Sequence, residues 1–160
     1  MINKKSKCHL IKEYLVHLKM RKGFALTQIL NLFFFSDSHR GDNGFADDFA
    51  HNRNMFKHAL EHYFNKEFTY IELGDGDELW ENRSFKSIFN AHRNVYELMK
   101  KFHDENRLHM VLGNHDMVYK NPKYVKKHLS TYLSSTTGNK VPFLTDIVYH
   151  EGVILKFKET

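Results

Sequence analysis

The chain is expected to be an α/β domain with a parallel sheet, and three observations predict it. Three runs, ILNLFFF, FTYIEL and LHMVL, read as strands, the first continuous in its apolar character as strands covered on both faces tend to be. Stretches with apolar residues at helical spacing separate them. Each run also stops abruptly in polar residues: Asp37-Ser38-His39, Gly74-Asp75 and Gly113-Asn114. Strand–helix alternation of this kind builds parallel sheets, and such sheets bind ligands beyond the carboxyl ends of their strands.

In chain order, His9 to Met20 reads as an amphipathic helix, with Leu10, Tyr14, Leu15 and Leu18 near one face and Gly23 ending it. ILNLFFF is the first buried strand, and Gly41 to Gly44 a loop. A helix is expected from about Asp47 to Asn65, with Asp47 or Asp48 in its first turn. FTYIEL follows as the second strand. Ser84 is placed to cap a long helix to about Glu105, along which Ile88, Ala91, Val95, Leu98 and Phe102 recur. LHMVL is the third strand. Asn121 and Pro122 form a cap and first-turn pair for a fourth helix through NPKYVKKHLSTYL. DIVYHEGVILKFK has the look of a hairpin turning at Glu151 and Gly152.

The 160 residues suit one domain, and a 41% hydrophobic fraction supports a packed core. No apolar run approaches the roughly 18 residues of a membrane span. Lys12, Glu13, His17 and Lys19 interrupt the N-terminal apolar positions, so no signal-peptide core is present and a cytoplasmic location is expected. The single cysteine, Cys8, fits a reducing compartment. Residues 1–22 carry seven Lys or Arg against one Glu, which accounts for the net charge of +5. They are read as a basic N-terminal helical segment; a solvated flank outweighs a phosphate-binding arm, and nucleic acid is not indicated as a partner.

The chemistry is concentrated at the strand ends. A lone Asp-x-His is usually a cap beside a surface histidine, and a lone Gly-Asn-His-Asp is usually a turn. Spacing changes that reading. Asp37 and Asp75 are 38 residues apart, and Asp75 and Asn114 are 39 apart, each about one βαβ unit. Neighbouring strands would bring all three clusters to one sheet edge, with oxygen and nitrogen donors suited to Mn, Fe or Zn. Arg40 is either a contact for substrate phosphate or a loop arginine paired with Asp42 or Asp47. Asp77 reads as a solvated loop acid, Trp80 as a lid over its loop. His51, His58, His62, His92 and His103 read as surface or satisfied histidines, with His51 the best exception.

The ordered set Asp37-Ser38-His39, Gly74-Asp75-Gly76-Asp77-Glu78 and Gly113-Asn114-His115-Asp116 resembles the signature of the calcineurin-like metallophosphoesterases. The resemblance implies a β-sandwich flanked by helices, of which mainly the first βαβαβ half is present. It implies two divalent metal ions, with Asp37 and His39 on the first, Asp75 bridging and Asn114 on the second. His115 would protonate or stabilise the leaving oxygen, with Glu78 orienting it. The implied reaction is hydrolysis of a phosphate mono- or diester, or a pyrophosphate, through in-line attack of a metal-bound hydroxide.

The sequence departs from the family after Asp116. The family's isolated histidine and Gly-His-x-His pair have no counterpart, since His128 falls in the fourth helix and His150 at the expected hairpin. Residues 23–160 are therefore expected to be the N-terminal part of such a domain, weak or inactive alone. The alternative is a catalytically silent metal- or anion-binding module with a basic N-terminus. The missing Asp-Arg-Gly continuation argues against the protein serine/threonine phosphatases, and Asp-x-His against the purple acid phosphatases.

Overall fold

The computed structural model describes residues 15–18, 28–29, 31–45 and 47–157. In chain order the elements are β1 (Leu15–Leu18), β2 (Gln28–Ile29), β3 (Leu32–Phe35), α1 (Arg53–Asn65), β4 (Thr69–Leu73), α2 (Phe85–Ala91), α3 (Arg93–Asp104), β5 (Leu108–Val111), a 3₁₀ turn (Met117–Lys120), α4 (Pro122–Leu129), β6 (Thr131–Leu133), β7 (Lys140–Pro142), β8 (Tyr149–His150) and β9 (Leu155–Phe157). The fold is mixed α/β. Its main sheet has the order β3-β4-β5-β8 with every pairing parallel. A separate antiparallel sheet runs β2-β1-β9, and β6 and β7 form a small hairpin. Among the described residues, no helix is long and apolar enough to cross a membrane.

The core lies between one face of the main sheet and the helices. Register aligns Phe33 with Tyr70 and Leu108, all at most 6% exposed. The Phe33 ring stacks on Tyr63 of α1 at 4.5 Å and on Tyr70 at 4.8 Å. Leu60 from α1, with Val95, Met99 and Phe102 from α3, closes the layer and is fully or almost fully buried. Each aromatic pair adds roughly 0.5–1.5 kcal/mol beyond its burial.

The three phenylalanines do not all sink into this core, contrary to the sequence reading. Alternation sends Phe34 to the opposite face of an edge strand, where it is 40% exposed. On that face Ile71 and Val111 are covered by Leu32, Val153 and Leu155.

Several expected boundaries also differ. Within the expected His9–Met20 helix, Leu15–Leu18 is a strand held between β2 and β9, since strand preference is decided largely by the partners that flank it. The rest of residues 1–22 lies outside the described residues. Helix α1 begins only at Arg53: Asp47 accepts from the amides of Asn43 and Ala50 and so shapes the preceding loop. The long helix breaks at His92, whose buried ring is tied to Asp47 at 2.7 Å. Asn121 does cap α4, accepting from the Lys123 amide, but the helix stops at Leu129. There the Leu129 and Ser130 carbonyls accept from Leu144 and Phe143, and the β-favouring Thr131 and Tyr132 enter the hairpin. Finally, β8 and β9 do not pair with each other. The chain crosses from the main sheet to the second one over Glu151–Ile154.

Candidate metal centre

Three strand ends build the site. Asp37, Asp75 and Gly113 each stand two residues beyond a strand, after Phe35, Leu73 and Val111. The β3–β4 ladder continues past the strands themselves: His39 N donates to Asp75 O at 2.9 Å, Arg40 N to Gly76 O at 2.9 Å, and Glu78 N to Arg40 O at 3.0 Å. Asp37, His39 and Asp75 all take left-handed backbone conformations, at φ 54°, 48° and 50°. Such residues cost on the order of 1–3 kcal/mol each and cluster where side chains must be aimed at a site. The motif glycines allow two loops to touch. Gly74 has φ 85°, and a Cβ there would lie 2.8 Å from Gly113 Cα. A Cβ on Gly113 would collide with the backbone and carboxylate of Asp75.

This packing brings Asp37, His39 and Asp75 together, with one donor atom from each within 4.8 Å of the others. His39 Nε2 is 3.9 Å from Asp37 Oδ1. Asp75 Oδ1 also accepts from His115 N at 2.7 Å, which ties the β4 and β5 loops together at the residue following Asn114. Asn114 itself is exposed, three residues beyond β5. Two carboxylates and an imidazole form a donor set that fits a divalent cation.

Beneath them Glu78 holds two imidazoles with one oxygen: Oε2 lies 3.0 Å from His39 Nδ1 and 2.5 Å from His115 Nδ1. Its Oε1 accepts from the amides of Trp80 and Glu81. Burial pushes the Glu78 carboxyl up, but the hydrogen bonds from His39, the Glu81 amide and His115 outweigh it and hold the group below its ordinary value. Glu78, His39 and His115 could themselves chelate a metal. The Nδ1 contacts instead match hydrogen bonds to a satisfied carboxylate, which leaves both Nε2 atoms free. The rings of His39 and His115 meet edge to face at 4.3 Å. Trp80, 66% exposed, stacks on His115 at 4.2 Å.

Arg40 is the clearest correction. It is 1% exposed, and its guanidinium grips Glu72 with Nη1 at 3.1 Å and Nη2 at 2.5 Å, while Nε reaches Asp77 Oδ1 at 2.8 Å. With its donors committed inside the protein, it does not present a fork to substrate phosphate, and neither Asp42 nor Asp47 is its partner. Asp77 is not a solvated loop acid either. At 2% exposure it also accepts from the hydroxyls of Tyr96 and Tyr119. The network fastens the loop carrying Asp75 and Glu78 from below. Asp116 joins it, accepting from Gly76 N at 3.0 Å and Gly113 N at 2.7 Å; burial pushes its carboxyl up to about 6 despite these amides.

Sequence reasoning missed Glu72 and the double role of Glu78. A carboxylate inside the apolar FTYIEL was itself a signal, since a buried charge demands a partner. Of the helix histidines, His51, His58 and His62 are exposed, whereas His92 is buried, bonded to Asp47 through Nε2 with its Nδ1 left without a hydrogen-bond partner. The chain matches no known family model, no curated protein and no solved structure.

Proposed function

We propose that this chain carries the metal site of a calcineurin-like phosphoesterase, hydrolysing phosphate mono- or diesters or a pyrophosphate. The observation that supports the reading most is the convergence of Asp37, His39 and Asp75 from two strand ends, over a Glu78 shared by His39 and His115. The two sheets fit the expected helix-flanked sandwich, with β2-β1-β9 as part of its second layer.

Asp37 and His39 would hold one cation, Asp75 would bridge, and Asn114 would offer its amide oxygen to the second. Two bound cations would supply the positive charge that activates a water and neutralises phosphoryl oxygens. Glu78 accepts Nδ1–H from His39 and so points Nε2 towards Asp37 and Asp75. It does the same for His115, leaving Nε2 as the atom that gives a proton to the leaving oxygen. Trp80 covers one face of that imidazole and limits access of water to it. Four donors for two ions leave the second ion the more weakly held.

The test is hydrolysis of p-nitrophenyl phosphate and its bis ester with added Mn. Turnover that depends on Mn and disappears in Asp75→Asn supports the reading. Turnover unchanged in Asp75→Asn, in a variant that keeps its circular dichroism, overturns it.

A further inference from the structure

We infer that the groove between α2 and the β6–β7 hairpin is a second ligand site, which takes a planar ring carrying a phosphate, the chemistry of a nucleotide unit. The cavity measures about 400 Å³ and shares no residue with the metal centre. Its floor is aromatic, with Phe85, Phe89 and Phe143 at most 5% exposed. Tyr132, half-buried, forms a wall, packed against Phe89 at 5.3 Å and Phe143 at 5.6 Å. Cations surround this surface. Lys86, Lys127 and Lys140 line the rim from three separate elements and are all exposed, and no lining residue is acidic.

Arg93 distinguishes the groove from a chance patch of lysines. Its guanidinium lies 4.9 Å from the Phe89 ring centre and 5.8 Å from that of Tyr132. Nη1 is fixed on Leu133 O at 2.8 Å and Nη2 on Asn90 Oδ1 at 3.3 Å. A held guanidinium beside aromatic rings offers a flat surface on which a base stacks. Among the described residues, Lys86, Lys127 and Lys140 have no carboxylate partner, so their charge is available to phosphate oxygens. The aromatic lining offers a ring an apolar surface that a bare phosphate would leave unfilled.

The experiment is fluorescence anisotropy in EDTA, where the metal centre plays no part. The probes are an N-methylanthraniloyl-labelled adenosine monophosphate and a fluorescein-labelled ten-residue oligothymidylate, each competed with inorganic phosphate. The wild-type chain is compared with Lys86→Glu/Lys127→Glu/Lys140→Glu. The control is Lys66→Glu/Lys101→Glu/Lys123→Glu, which makes the same charge change on exposed residues outside the groove. Binding of either probe that weakens at least about tenfold in the groove variant and less than about threefold in the control supports the inference. If the oligonucleotide binds more tightly per site than the mononucleotide, the source is a single strand; if they bind equally, it is a free nucleotide. Equal losses in the two variants, competition by phosphate as effective as by unlabelled adenosine monophosphate, or no binding of either probe would overturn it.

Discussion

Arg40→Met is predicted to be among the most damaging single changes in the chain, although sequence reasoning offered Arg40 as a phosphate contact or a loop arginine paired with Asp42 or Asp47. Methionine keeps much of the volume but deletes three charge-assisted hydrogen bonds, at 3.1 and 2.5 Å to Glu72 and 2.8 Å to Asp77. Two carboxylates at 1% and 2% exposure lose their cation. The hydroxyls of Tyr70, Tyr96 and Tyr119 still donate to them, which moderates the loss. Breaking one side of a buried ionic cluster costs about 3–5 kcal/mol. A domain has only about 5–15 kcal/mol in total. At a urea slope of about 2 kcal/mol per molar, the midpoint should fall by roughly 2 M. Equilibrium unfolding followed by far-ultraviolet circular dichroism measures this directly. A second substitution checks the cause. Adding Glu72→Gln to Arg40→Met should recover about 1–2 kcal/mol, whereas Glu72→Gln alone should destabilise, because neighbours in one network are not additive. A loss below about 1 kcal/mol for Arg40→Met, or strict additivity of the two changes, would refute the buried-cluster argument.

Three further outcomes follow from the same reading. Glu78→Gln should weaken Mn binding by roughly 10–100-fold in calorimetric titration, since it loosens the imidazole of His39; unchanged affinity would show that Glu78 positions nothing. Asp47→Ala removes contacts to Asn43 N, Ala50 N and His92 Nε2 and should cost about 2–3 kcal/mol, lowering Tm by roughly 5–10 °C; a shift within experimental error would contradict it. His109, whose Nε2 is buried without a partner, has its pKa lowered to about 4 by burial and then by His150. Its neutral form is favoured in the folded state, so its contribution to stability is full above about pH 6.5 and is lost as pH falls through about 4, by up to about 3 kcal/mol. His109→Phe should therefore show a shallower loss of urea stability between pH 7 and pH 4.5 than the wild type, and parallel losses would count against that assignment.

Much of the architecture was legible because it is written locally. The apolar runs of β3, β4 and β5 and the helical spacing between them required no knowledge of partners, and the strand-end placement of Asp37, Asp75 and Asn114 followed from them. What sequence reasoning lost depends on tertiary partners. The LVHL strand and the break at His92 are each decided by a segment far away in the chain, β9 and Asp47, while the hairpin at Thr131 depends on its neighbouring strand Lys140–Pro142. The C-terminal strands misled for the same reason, since adjacency in sequence suggested a hairpin while β5 and β1 were the stronger partners. Within the site, residue types were readable but depth was not. Arg40 and Asp77 look like loop charges until Glu72 is seen facing them from the strand.

The central claim is that Asp37, His39, Asp75 and Asn114 hold a divalent cation. The most direct measurement is calorimetric titration of Mn into the wild-type chain and into Asp75→Asn, with circular dichroism confirming that both are folded. The account predicts saturable binding by the wild type and a loss of at least about tenfold in Asp75→Asn, the residue proposed to bridge the two ions. No saturable binding by the wild type at millimolar Mn, or equal affinity in the two proteins, would contradict it.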